Sequence, residues 1–189
     1  MKLYLTTISI GMAVISALNV ALGTVAWYYA VIATVWCTAL QFAVDGSIAI
    51  IINRLPDAWF SVDKRMFYVS ERERQLYKRL KVRRWKDKVW ELGGLGGFSK
   101  KRLISPDDPS YIEKFIIECN KGVIVHRLSY AAGFLAMLTL AGTPRFSIAL
   151  PVALVNLYLN ILPTLALRYN TPKLKAMLAR MRRTRDRQA

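Results

Sequence analysis

Residues 3–44 carry no charged side chain, an uninterrupted run of 42 positions. A single helix crosses a hydrocarbon core of about 30 Å with roughly 20 residues, so this run is too long for one span and too apolar for a water-facing domain. It is also far longer than the roughly 7–15-residue apolar stretch of a cleaved signal peptide. A helical hairpin is the expected solution, with residues 3–22 leading out and about 25–52 returning around Gly23. Residues 122–140 and 147–167 form two more apolar segments, joined by Ala141-Gly142-Thr143-Pro144-Arg145. The expected fold is an all-α integral membrane protein with four transmembrane helices and amphipathic cytoplasmic helices. The expected division is an N-terminal hairpin over residues 1–53, a basic cytoplasmic region over 54–120, a second hairpin over 121–167 and a basic tail over 168–189.

Charge gives the orientation. Residues 54–114 hold sixteen Lys or Arg and residues 168–189 eight more, whereas the two outer turns hold only Arg145. The positive-inside bias therefore places both termini and the middle region on the cytoplasmic side of a bacterial inner membrane. A net charge of +16 in a soluble protein suggests nucleic acid. Beside membrane spans the same charge is accounted for by topology and anionic lipid headgroups, so no nucleic-acid partner is expected. With one histidine, and with Cys37 and Cys119 far apart, no metal site and no disulfide are expected.

The basic region has its own pattern. Pro56 ends the second span, and Trp59 and Phe60 suit the headgroup layer. Residues 70–90 read as an amphipathic helix with Leu76, Leu80 and Val82 among Arg79, Arg83 and Lys86. Gly93-Gly94-Leu95-Gly96-Gly97 is a turn that lacks the spacing and context of a nucleotide-binding loop. Ser105-Pro106-Asp107-Asp108-Pro109 marks a helix start, and residues 111–140 are expected to form one rod entering the membrane near Gly122.

Polar side chains cluster in sequence at the cytoplasmic ends of the spans. His126, the only histidine, lies eight residues beyond Glu118, about 12 Å along a straight helix. Direct contact between them would need a break at Gly122. Asp45 lies in the second span, and Asn156 and Asn160 share one face of the fourth. With His126 and Arg127 these residues are expected to line a polar cleft; mutual pairing of Asp45 with His126 or Arg127 is the purely structural alternative. Arg168, Tyr169 and Asn170 follow the fourth span, with Arg168 placed to reach phosphate or carboxylate. Pro172 is expected to stop the helix, leaving an amphipathic tail on anionic lipid.

Several blocks resemble the glycosyl-4,4'-diaponeurosporenoate acyltransferase family: Leu55-Pro56, residues 81–88, residues 112–118, His126, Gly142-Thr143-Pro144-Arg145, Asn160-Ile161-Leu162-Pro163 and residues 168–174. The resemblance implies transfer of a fatty acyl group from a thioester to a sugar hydroxyl on a lipid-linked acceptor. Its matching polar residues are Glu118, His126, Asn160, Arg168, Tyr169 and Asn170, with Arg84, Trp85 and Lys86 in the loop. On this reading acyl-CoA is a co-substrate, no cofactor is tightly bound, and the acceptor is a membrane lipid or glycolipid. His126 serves as general base, Asn160 or a backbone N–H stabilises the oxyanion, and Glu118 orients the acceptor's sugar or, across a break at Gly122, the imidazole. The CoA phosphates meet Lys100, Lys101 and Arg102 or the basic cluster over residues 83–88. A covalent route through Cys119 is less favoured because of its distance from His126. The alternatives are a lipid-binding or lipid-transport protein and a transferase with a non-acyl donor.

Overall fold

The computed structural model describes residues 2–89, 103–139 and 144–187, and all regular structure among them is helical. The Gly93–Gly97 turn, Lys100, Lys101, Arg102 and residues 140–143 of the outer turn lie outside the described residues. Three helices are long and apolar enough to cross a membrane, covering Tyr4–Ala21, Trp27–Arg54 and Phe146–Asp186. The expected third span, over residues 122–140, corresponds to the later part of a helix that is described as far as Thr139. The chain divides into two compact units.

The first unit comprises Met1–Ile52 and Val125–Ile161. Helices α1 (Lys2–Ala21) and α2 (Trp27–Arg54) form the expected hairpin. Its turn depends on Gly23, whose φ of +63° is one that side-chain-bearing residues rarely adopt. Thr24 closes the turn by donating its backbone N–H to the Asn19 carbonyl at 3.1 Å. Asn19, buried in an apolar helix, donates through Nδ2 to the carbonyls of Ile15 at 2.8 Å and Ser147 at 2.7 Å. Ile15, Ala33, Cys37, Met137, Ile148, Val152 and Ala153 pack together as the core. Trp27, Ile32, Trp36 and Leu135 are all more than half exposed, an outward-facing apolar surface suited to lipid.

The second unit comprises Asn53–Ile124 and Leu162–Ala189. Helix α3 (Glu71–Arg79) begins at Ser70, whose Oγ accepts from the Glu73 N–H at 3.2 Å, with Glu in the position that favours a helix start. The single helix expected over residues 70–90 is two: Lys81 turns left-handed at φ 52° and α4 occupies only Val82–Trp85. The apolar face differs as well. Leu76 and Leu80 are exposed, while Tyr77 and Val82 are buried with Val69 against Trp85 and Tyr169. The left-handed step at Lys81 brings Val82 inward, which the helical period cannot anticipate.

Helix α5 (Pro109–Thr139) begins where the sequence signals it. Asp108 accepts from the Ser110 N–H at 2.9 Å and Ser110 Oγ at 2.7 Å, which holds its carboxyl below the usual range, and Pro109 fits the first helical turn. The helix is continuous through Gly122, so the break that would turn Glu118 toward His126 is absent.

Helix α6 (Leu150–Asp186) corrects a second expectation, for it continues through both Pro163 and Pro172. A proline inside a helix costs about 3 kcal/mol. Beyond Pro172, Leu174 and Leu178 are buried with Ile112, Phe115, Ile116 and Cys119. Burying such a side chain contributes about 1.5–3 kcal/mol, so two of them offset the proline. At Pro163 the missing N–H leaves the Leu159 carbonyl to another donor, and the Tyr4 hydroxyl fills that place.

Candidate functional site

The first unit gathers polar side chains that lie far apart in sequence. Asp45 comes from α2, His126 from α5, and Asn156 and Asn160 from α6. Asn160 is the junction. Its Nδ2 lies 3.1 Å from the Asn156 backbone carbonyl, 2.9 Å from Asn156 Oδ1 and 3.3 Å from Asp45 Oδ2. A backbone carbonyl only accepts, so this edge of the amide is the donor. Asn160 Oδ1 therefore faces His126 Nδ1, 2.8 Å away. The contact requires the proton on Nδ1, which makes Nε2 the basic nitrogen.

Sequence reasoning missed Gln41, Ser129 and Gly133, all three in this unit. Gln41, one helical turn before Asp45, donates through Nε2 to Asp45 Oδ1 at 3.1 Å. Ser129 and Asn156 are neighbours of the same carboxyl. Gly133 on α5 leaves the space Gln41 needs, because a Cβ there would fall 1.8 Å from Gln41 Nε2. A polar residue four positions from an acid in an apolar helix was the available signal for Gln41; nothing local marks Gly133. Gln41 Oε1, Ser129 Oγ and Asn156 Nδ2 are buried and find no hydrogen-bond partner among the described residues. Three unsatisfied polar atoms beside one carboxyl are costly unless another molecule completes them. Arg127 is half-buried, and no hydrogen bond among the described residues joins it to the network.

The remaining expected residues belong to the second unit. Glu118 pairs with Lys121 at 3.4 Å, and Lys121 also pairs with Asp57. Arg168 is buried: its Nε and Nη2 grip the two oxygens of Glu73, the latter at 2.7 Å, and Nη2 also donates to the Tyr68 carbonyl at 2.9 Å. The carboxylate it reaches is one from its own chain. Tyr77 donates to Glu73 as well, and burial followed by the Glu73 carboxylate raises the Tyr77 hydroxyl above its ordinary pKa. Tyr169 meets Tyr77 edge-on with centroids 6.2 Å apart, and the Lys173 ammonium lies 4.8 Å from the Tyr169 ring centre. Asn170 is half-buried. Trp85 Nε1 donates to the Leu80 carbonyl at 3.0 Å, Lys86 pairs with Asp87 at 2.6 Å, and Arg84 is exposed on α4. Cys37 and Cys119 are each buried, and neither is in a disulfide. Among the described residues, no group of three or more His, Cys, Asp and Glu is placed to hold a metal ion.

Residues 56–180 match the glycosyl-4,4'-diaponeurosporenoate acyltransferase family, and the chain belongs to that family. The match includes His126, Ser129, Gly133, Asn156 and Asn160, while Gln41 and Asp45 come from the hairpin that precedes it. No curated protein and no solved structure matches the chain significantly.

Proposed function

We propose that this chain is a four-span enzyme of the bacterial inner membrane, with both termini cytoplasmic. It moves a fatty acyl group from acyl-CoA, or a similar thioester, to a hydroxyl of a glycosylated lipid. The single observation that carries this reading is the Asn160 to His126 contact, which turns the only imidazole into an oriented base among buried polar groups.

In the proposed reaction the acceptor O–H gives its proton to His126 Nε2 as its oxygen attacks the thioester carbonyl. Asn160 Oδ1 holds the Nδ1 proton of the resulting imidazolium, and Asp45 holds the amide of Asn160. The tetrahedral intermediate collapses by breaking the C–S bond, and the departing sulfur takes the proton from the imidazolium. Asn160 was the expected oxyanion donor, yet its Nδ2 already serves Asp45 and Asn156. The buried amide of Asn156 is the better candidate, since its Nδ2 finds no hydrogen-bond partner among the described residues. Gln41 Oε1 and Ser129 Oγ offer further contacts to a sugar hydroxyl.

Acceptor identity is tested by mass spectrometry of lipid co-purifying with the protein, followed by incubation with labelled acyl-CoA and either that lipid or a glycosylated carotenoid. The proposal expects a labelled ester on a sugar hydroxyl. Retained lipid with no labelled product would instead support a lipid-binding or transport role.

A further inference from the structure

The second unit contains a cavity of about 790 Å³. It lies between the segment after the short helical turn Asp57–Phe60 and the last part of α6, and its wall carries Lys64, Arg65, Lys175 and Arg182 against a single carboxylate, Asp63. That volume falls in the range of small-molecule sites, about 300–1,000 Å³. A smaller recess of about 100 Å³ shares Tyr68 and Lys175 with it and adds Arg74.

Lys175 is the informative residue. It is half-buried, and its ammonium donates to the Val62 carbonyl. Among the described residues no carboxylate forms an ion pair with Lys175, Lys64 or Arg65, while Arg182 is held by Glu113 at 2.8 Å. Asp63 on the same wall attracts the Lys175 ammonium from beyond ion-pair distance while Arg168 repels it, so a cation taken partly out of water is only partly compensated. One carboxylate would neutralise one cation. Several unpaired cations around one volume match a group with several anionic oxygens, as Lys and Arg clusters do for phosphate.

We propose that this cavity binds a phosphate-bearing group, supplied by a soluble nucleotide thioester or by a phospholipid headgroup. The inference does not rest on the acyl-transfer reading, and the cations that carry it are not those of residues 83–88.

The test uses full-length protein in a phosphate-free maltoside detergent. One arm titrates coenzyme A and inorganic pyrophosphate by calorimetry; the other measures retention of phosphatidylglycerol against diacylglycerol by native mass spectrometry. The expected result is saturable binding in at least one arm, weakened about tenfold or more by Lys175→Met, the loss typical of a charge-assisted contact. Binding in the first arm identifies a nucleotide phosphate as the occupant, and selective retention in the second a headgroup. Lys64→Gln with Arg65→Gln alters only unpaired cations at the cavity wall and decides the matter if Lys175→Met does not fold. No saturable binding in either arm, or binding unchanged in every folded variant, overturns the proposal.

Discussion

The imidazole Nδ1 of His126 lies 2.8 Å from Oδ1 of Asn160, and this one contact sets which ring nitrogen is basic. The amide cannot be reversed without placing its oxygen against the Asn156 carbonyl, now 3.1 Å from Nδ2. Asp45 lies on the same edge at 3.3 Å, so a carboxyl on α2 acts on an imidazole on α5 through an amide on α6.

Asp45 is therefore a positioning residue in the proposed reaction. Asp45→Asn is expected to lower kcat about tenfold or more with KM little changed, as for an interaction expressed in the transition state. Asn160→Ala should lower kcat further, and Asp45→Asn in that background should add little, because both changes break one chain of contacts. Steady-state kinetics on the four proteins checks this; fully multiplicative losses would show that the two residues act independently.

Gly133→Ala tests the space beneath Gln41. The new methyl collides with the Gln41 amide, which must leave the Asp45 carboxyl. Activity should fall in Gly133→Ala and recover in part when Gln41→Ala is added, because the collision is then removed. A double variant no better than Gly133→Ala alone would separate Gly133 from the site.

The grip of Arg168 on Glu73 predicts a stability effect. Removing one partner of a buried, bidentate ion pair costs about 3–5 kcal/mol, because the other charge is left uncompensated. Arg168→Met should lower the Tm of the detergent-solubilised protein markedly, and combining it with Glu73→Gln should restore part of the loss. Equal Tm values for wild type and Arg168→Met would show that the pair contributes little.

Tyr77 gives an alkaline signature. Its hydroxyl is raised above the ordinary value of 10.0 by burial and by Glu73, so the folded chain favours the protonated phenol. The resulting stability is fully present below the unfolded pKa and is lost as pH rises toward the folded value. Tyr77→Phe should remove this alkaline decline from denaturant midpoints measured across pH, and an unchanged decline would assign it to other groups.

The hairpin and the start of α5 were legible because helices long and apolar enough to cross a membrane leave a long uncharged run, and because Asp108-Pro109 is a strong local start signal. His126, Asp45, Asn156 and Asn160 stood out because each is polar in an apolar stretch, and the structure brings all four together. Gln41 and Ser129 were easier to overlook, since neither carries charge. Gly133 matters only through the side chain laid over it, which no sequence window contains. Pro172 failed as a stop signal because the stabilisation that carries α6 past it comes from tertiary burial of Leu174 and Leu178. The left-handed residue at Lys81 has no glycine or asparagine to announce it.

The central claim is that His126, oriented by Asn160, is the base of an acyl transfer. Its most direct test is the rate of labelled ester formation from acyl-CoA and a glycosylated lipid by purified wild type and His126→Gln, both first shown to be folded and membrane-embedded. Loss of a general base lowers the rate by about 10²–10⁴-fold, and a drop of that size in His126→Gln is the predicted result. Turnover by His126→Gln equal to wild type would contradict the account.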